Sequence, residues 1–150
     1  MKKFVLKEGF ICDPANGLEG IADLVIYGHK IQEIIYKTKG TWSDDFEVVD
    51  AKGLIVMPGF IDLHTHLRDP GFVWKEDIKS GAVAASRGGF TTICAMPNTN
   101  PPLDSAPLVR DFVQKVADAP IRIFPIGTIT KNRSGNNLSP MMALCEAGVV

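Results

Sequence analysis

The chain has 150 residues, 45% hydrophobic and 22% charged, with a formal net charge of −1 at pH 7. That length suffices for an ordinary domain with its own core, and the balanced charge, without a basic block or a basic–aromatic patch, leaves no footprint for nucleic acid. No apolar run approaches a membrane span, and the opening Met1-Lys2-Lys3 is followed too soon by Lys7-Glu8 for a signal peptide, so a cytoplasmic protein is expected.

Up to residue 57 the pattern is one of short strands, at 4–6, 9–12, 22–27, 30–35, 47–50 and 54–57. Asp13 to Gly17 reads as a turn, Gly28-His29 as a two-residue hairpin turn, and 37–45 as a polar loop. The expected result is a small antiparallel β module spanning 1–57. After Pro58 the rhythm changes. A strand over 60–66 precedes a helical stretch over 75–87, with Ile78, Ala82 and Ala85 at helical spacing. Gly88-Gly89 ends that helix, and a strand over 91–96 follows. A helix over 104–117 carries Leu108, Val109, Phe112 and Val116 on one face. A strand over 121–126, a helix over 139–147 and an apolar ending, Gly148-Val149-Val150, complete the run. Alternating strands and helices predict a parallel sheet of βα units over 58–150, with the ending as the opening of a fourth strand. The three cysteines, Cys12, Cys94 and Cys145, are widely spaced and form no zinc or redox motif. They are expected as reduced thiols, with Cys94 a small core residue.

The stretch Pro58 to Gly71 carries the most chemistry. His64 and His66 are separated by one residue, and strand alternation points them the same way, so one metal ion could be gripped by both imidazoles. The same parity carries Asp62, and Arg68 if the strand persists, to that face; for Asp62 a buried hydrogen-bonding role is expected rather than direct metal ligation. The Arg-Asp-Pro-Gly sequence that follows marks a loop at a strand end, where α/β barrels place their chemistry. Asp69 and Glu76 read as loop and helix-start residues, and His29 as a solvated turn residue. Lys131 closes Ile129-Thr130-Lys131, the expected end of the third barrel strand beyond its 121–126 run, and reads as a surface or loop lysine.

At Pro58 to Gly71, together with Met96-Pro97-Asn98-Thr99-Asn100-Pro101-Pro102, the chain closely resembles dihydroorotases of the amidohydrolase superfamily. The resemblance also covers Lys75-Glu76-Asp77 and Gly88 to Thr92. It implies an α/β fold: a distorted, metal-dependent (β/α)8 TIM barrel preceded by a small β-sandwich module, with the barrel incomplete in this chain. The implied reaction is the reversible cyclisation of N-carbamoyl-L-aspartate to L-dihydroorotate in pyrimidine biosynthesis, with one or two zinc ions. Carried onto this sequence, His64 and His66 are the zinc ligands, and Arg68 and Asn98 hold the substrate's carboxylate.

The chain contains only three histidines, and with His29 read as a turn residue the two that remain cannot complete a zinc site. The resemblance therefore places the other ligands, and the aspartate that shuttles the proton, beyond residue 150. A (β/α)8 barrel needs about 250 residues, so the expectation is the front part of a longer enzyme, inactive alone. The resemblance leaves open a homodimer, and a complex with aspartate transcarbamoylase. Two alternatives stand beside this reading. One is a non-catalytic homologue that scaffolds the transcarbamoylase; the other is an allantoinase or hydantoinase, against which Arg68 and the Met96 to Pro101 tract argue.

Overall fold

The computed structural model describes residues 2–36 and 41–150. The chain divides into two compact units, Met1–Pro58 and Gly59–Val150. Part of the polar loop expected over 37–45, residues 37–40, lies outside the described residues.

In the first unit, β1 (Lys3–Asp13), β2 (Leu18–Tyr27), β3 (Lys30–Ile35), β4 (Glu47–Asp50) and β5 (Ile55–Val56) form one sheet. Its order is β3-β2-β1-β4, with β5 also paired to β1. The two strands expected at 4–6 and 9–12 are one strand with a register shift between Leu6 and Gly9. Glu8 sits at that bulge with a φ of 57°, and its amide donates to Asp23 Oδ1 at 2.9 Å. The fully buried Asp23 also accepts the Trp42 indole N–H at 3.1 Å, so the carboxylate rewards the irregular backbone that a simple alternation pattern conceals. The expected all-antiparallel pairing is corrected: β4 and β5 run parallel to β1. The connection after β3 carries the chain to the far side of β1, and a strand entering there runs alongside β1 in the same direction. The Tyr27–Lys30 pairing closes the hairpin at Gly28-His29 as expected.

In the second unit, β6 (Phe60–Thr65), β7 (Phe90–Ala95) and β8 (Arg122–Pro125) form a parallel sheet in that order. Between and after them run α1 (Ile78–Arg87), α2 (Ala106–Lys115) and α3 (Met141–Glu146). Each helix starts two or three residues later than periodicity suggests. At α1 the reason is a cap: the Asp77 carboxylate accepts from Ser80 N–H at 2.7 Å, and the Ser80 hydroxyl accepts from Asp77 N–H at 3.4 Å. At α2 a proline, Pro107, occupies the first turn. The third strand ends at Pro125, not near Lys131, because the chain beyond it folds on itself through a bridge between Thr130 and Leu138. Lys131 is exposed in the short 3-10 turn between them.

The core lies between this sheet and its helices. Ile93, Ala95 and Ile123 from the strands meet Ile78 and Ala82 of α1, Val109 and Phe112 of α2, and Leu144 of α3. The central strand β7 is buried through Thr92, Ile93, Cys94 and Ala95, as a strand covered on both faces must be. The outer strand β6 instead exposes Ile61 and Leu63 at 62% and 70%. At the other edge, Val150 N–H donates to Pro125 O at 3.3 Å, laying the end of the chain against β8. Cys12, Cys94 and Cys145 are unpaired, with Cys94 buried as expected. No helix among the described residues is long and apolar enough to cross a membrane.

Two outcomes follow from this packing. Phe112 is 2% exposed at the centre of the core, so Phe112→Ala is expected to cost about 3–5 kcal/mol in urea denaturation. The hydrogen bond from the Ser80 amide holds the Asp77 carboxyl below its ordinary pKa. Its contribution is present above the ordinary carboxylate range and is lost as pH falls through the folded value. Acid titration followed by far-UV circular dichroism should therefore show a loss at the start of α1 that Asp77→Asn, a neutral cap, reduces.

Candidate metal and substrate site

The parallel ladder brings the carboxyl ends of all three strands to one edge. Met96 N–H donates to Thr65 O at 2.8 Å and Ile126 N–H to Ala95 O at 2.9 Å, one step past the ends of β7 and β8. The Thr65 hydroxyl adds a bond to Cys94 O at 2.8 Å. At this edge the loop over 66–77 meets the loop over 96–105, and the residues singled out by sequence gather on them.

His64 and His66 lie together, with ring centroids 5.1 Å apart and planes inclined by 73°. His64 is exposed on the last turn of the strand path, and the half-buried His66 follows directly after β6 ends. His66 Nδ1 lies 2.8 Å from Asn98 Oδ1, across 32 residues of sequence. With this amide oxygen as acceptor, the bond fits the neutral imidazole that carries its hydrogen on Nδ1 and leaves the Nε2 lone pair open.

Regular alternation does not run through this stretch. A register shift lies between Asp62, which pairs with the core residue Ile93, and Thr65, yet Asp62 and His66 still line one cavity. Asp62 Oδ1 accepts from His64 N–H at 2.9 Å, a hydrogen-bonding role that steadies the strand where the first histidine departs. Arg68 is not carried onto the site by strand parity either, because β6 stops at Thr65. Arg68 takes a left-handed φ of 62°, and its carbonyl accepts from Phe72 N–H at 2.9 Å. A local turn, which period-two counting cannot anticipate, sets where it stands.

The two loops are joined by backbone. Asn100 N–H donates to Pro70 O at 2.9 Å, and the Thr99 hydroxyl donates to Pro101 O at 2.7 Å. Both Asp69-Pro70 and Asn100-Pro101 are cis. Gly71 has a φ of 96°, and a Cβ there would stand 2.2 Å from Asn100 O. Only glycine allows this approach. Sequence reading missed this residue, although the Arg-Asp-Pro-Gly turn signal contained it.

Asp69, read from sequence as a loop residue, pairs with Lys115 of α2 at 3.6 Å. The hydrogen bond to Asp111 is the main reason that Lys115 is raised above its ordinary pKa; burial opposes the rise, and Asp69 adds to it. Glu76 accepts from Asp77 N–H at 3.1 Å and from the Ser80 hydroxyl, the helix-start role expected of it. His29 is exposed at its hairpin turn.

No group of three or more His, Cys, Asp or Glu among the described residues could by itself hold a metal ion. His64 and His66 offer two imidazoles, fewer than the about four donors a zinc ion takes, and imidazole nitrogens would suit zinc; with Asn98 Oδ1 at His66 Nδ1, Nε2 would be the nitrogen open to a metal.

With this geometry in hand, the chain can be set beside known proteins. By structure it is similar to an L-hydantoinase (dihydropyrimidinase) from Arthrobacter aurescens, with a TM-score of 0.81 and 22% identity over 99% of this chain and 32% of that one. A D-hydantoinase superposes with a TM-score of 0.69 and 34% identity, over 85% of this chain and 27% of the other. The fold is therefore that of the amidohydrolase TIM-barrel enzymes, of which this chain supplies a β module and three βα units. Residues 53–150 match the family described as dihydro-orotase-like. The dihydroorotase of Aquifex aeolicus is 48% identical over 100% of this chain, and that of Clostridium acetobutylicum 47% identical over 97%. The chain belongs to the dihydro-orotase-like family. It spans about a third of the length of these relatives, 35% and 34% respectively.

Gly71→Ala tests the docking of the two loops. The strained φ and the contact with Asn100 O are expected to cost about 1–3 kcal/mol in thermal or urea denaturation, with the greatest rise in backbone hydrogen exchange at 68–72 and 98–101.

Proposed function

We propose that these residues form part of the active site of a zinc-dependent dihydroorotase, which interconverts N-carbamoyl-L-aspartate and L-dihydroorotate with release or uptake of water. The observation that carries this reading is the adjoining pair His64 and His66 beside Asn98 at the carboxyl edge of the sheet, in a chain 48% identical to a dihydroorotase. In this reading the enzyme works in the cytoplasm, in pyrimidine biosynthesis.

His64 and His66 would hold the metal through neutral imidazole nitrogens. A zinc ion bound there supplies a water of lowered pKa and a Lewis acid for the ring amide. Arg68 presents a planar guanidinium to the substrate's carboxylate, and the Asn98 amide N–H adds a donor from the neighbouring loop. Between them they orient the ring and fix which carbonyl meets the metal-facing side. The remaining metal ligands, and the carboxylate that accepts and returns the proton, come from barrel strands outside residues 1–150. The hydantoinases share the fold, but their substrates lack the carboxylate that Arg68 would serve; this favours the dihydroorotase reading.

The test is zinc content and dihydroorotate hydrolysis by the natural gene product. Bound zinc with turnover is expected, and His66→Ala should lose both. Arg68→Met should raise KM for dihydroorotate by about 10–100-fold, the worth of a charge-assisted pair, with bound zinc unchanged. Turnover of hydantoins but not of dihydroorotate would overturn this reading in favour of a hydantoinase. Zinc-free, inactive protein would point to a non-catalytic scaffold. Native mass would distinguish a homodimer from a complex with aspartate transcarbamoylase.

A further inference from the structure

The contact between Asn98 and His66 asks more of the asparagine than holding a substrate carboxylate. Its Oδ1 lies 2.8 Å from His66 Nδ1, so the side-chain oxygen is already engaged on an imidazole before any ligand arrives. Only its Nδ2 hydrogens remain to donate elsewhere. Asn98 is also delivered with little freedom. Met96 N–H is bonded to Thr65 O, directly before His66, and Leu103 N–H to Pro97 O at 3.4 Å. Thr99 is buried and bonded to Pro101 O, and Asn100 N–H holds Pro70 O across the gap. Met96 and Asn100, two residues to either side of Asn98, are thus tied to the strand that ends just before His66 and to the loop that follows it, while Pro97 and Thr99 are held within their own loop.

A histidine with an unconstrained ring interconverts between two neutral tautomers, and only one of them leaves Nε2 able to bind a metal. We propose that Asn98 is a positioning residue for His66: its amide oxygen holds the hydrogen on Nδ1 and so keeps the Nε2 lone pair directed at the metal. This rests on the reading of His66 as a metal ligand given above. One carboxamide then serves two neighbours, accepting from the imidazole through Oδ1 and donating to the substrate carboxylate through Nδ2. Metal retention and carboxylate binding share a single side chain, and they separate when its two ends are altered separately.

The natural gene product, stripped of metal and labelled at histidine with nitrogen-15, reports the tautomer directly. The expected result is His66 as the Nδ1–H form, reverting in Asn98→Ala towards the Nε2–H form that free histidine prefers. In a competition assay with a chromogenic chelator, Asn98→Ala should weaken zinc binding about 10–100-fold, the usual effect of removing a histidine's outer partner. Asn98→Asp keeps an acceptor for Nδ1–H and loses the donor. It should restore the tautomer and zinc affinity close to wild type while KM for dihydroorotate rises. Unfolding midpoints within a few degrees of wild type would exclude a folding defect, which Asn98→Asp would not rescue.

The Nε2–H form of His66 in the metal-free wild type would overturn the proposal. So would unchanged zinc affinity in Asn98→Ala. Failure of the wild type to bind zinc at all would sink the proposed function, yet the tautomer measured without metal would still decide the role of Asn98.

Discussion

The parallel ladder joining β6, β7 and β8 is the constraint on which the site depends. Parallel strands in register end together, and here the ladder extends one step past its formal ends, through Met96 to Thr65 and Ile126 to Ala95. That alignment puts two loops, far apart in sequence, at one edge. It brings His66 and Asn98 within hydrogen-bond distance across 32 residues. Without the alignment a His-Thr-His sequence is only two imidazoles on a chain. The helices contribute by burying β7 and fixing its height against β6, since the core of Ile93, Ala95, Val109 and Phe112 tolerates little sliding.

The loops add a second layer of control. Strands place residues by alternation, but apart from His64 the residues proposed for the site lie where the strands have already stopped. His66 is just beyond β6, Arg68 sits in a left-handed turn, and Asn98 follows β7. Backbone bonding takes over there: Phe72 to the Arg68 carbonyl, Asn100 to the Pro70 carbonyl, and the close approach of Gly71 to Asn100. In these bonds the main chain does the holding. The ion pair from Asp69 to Lys115 fastens the same loop to α2. Being partly exposed, it adds orientation more than stability.

Much of the fold was legible along the chain. The change of rhythm at Pro58, the alternation of strands and helices, and Val109 and Phe112 on one helical face all follow from hydrophobic periodicity, a local property. The hairpin at Gly28-His29 is equally local. What was not legible is pairing between distant segments. The parallel union of β4 and β5 with β1 depends on which edge of the sheet is vacant when the chain returns. The bulge at Glu8 depends on Asp23, fifteen residues away, accepting its amide. The early end of the third strand depends on Thr130 finding Leu138.

For the proposed site, residue types and spacing drew attention to His64 and His66, because metal binding restricts which side chains serve and local sequence marks the strand end that carries them, while the carboxylate roles proposed for Arg68 and Asn98 come from the family resemblance. The sequence by itself thus determined the chemistry on offer and the family of the fold. Only the tertiary structure decided how those groups meet. The register shift between Asp62 and Thr65, the docking of Asn100 on Pro70 and the hydrogen bond that ties Asn98 to His66 all arise from contacts between segments. Their energies depend on distance and direction in space, which one-dimensional spacing does not encode.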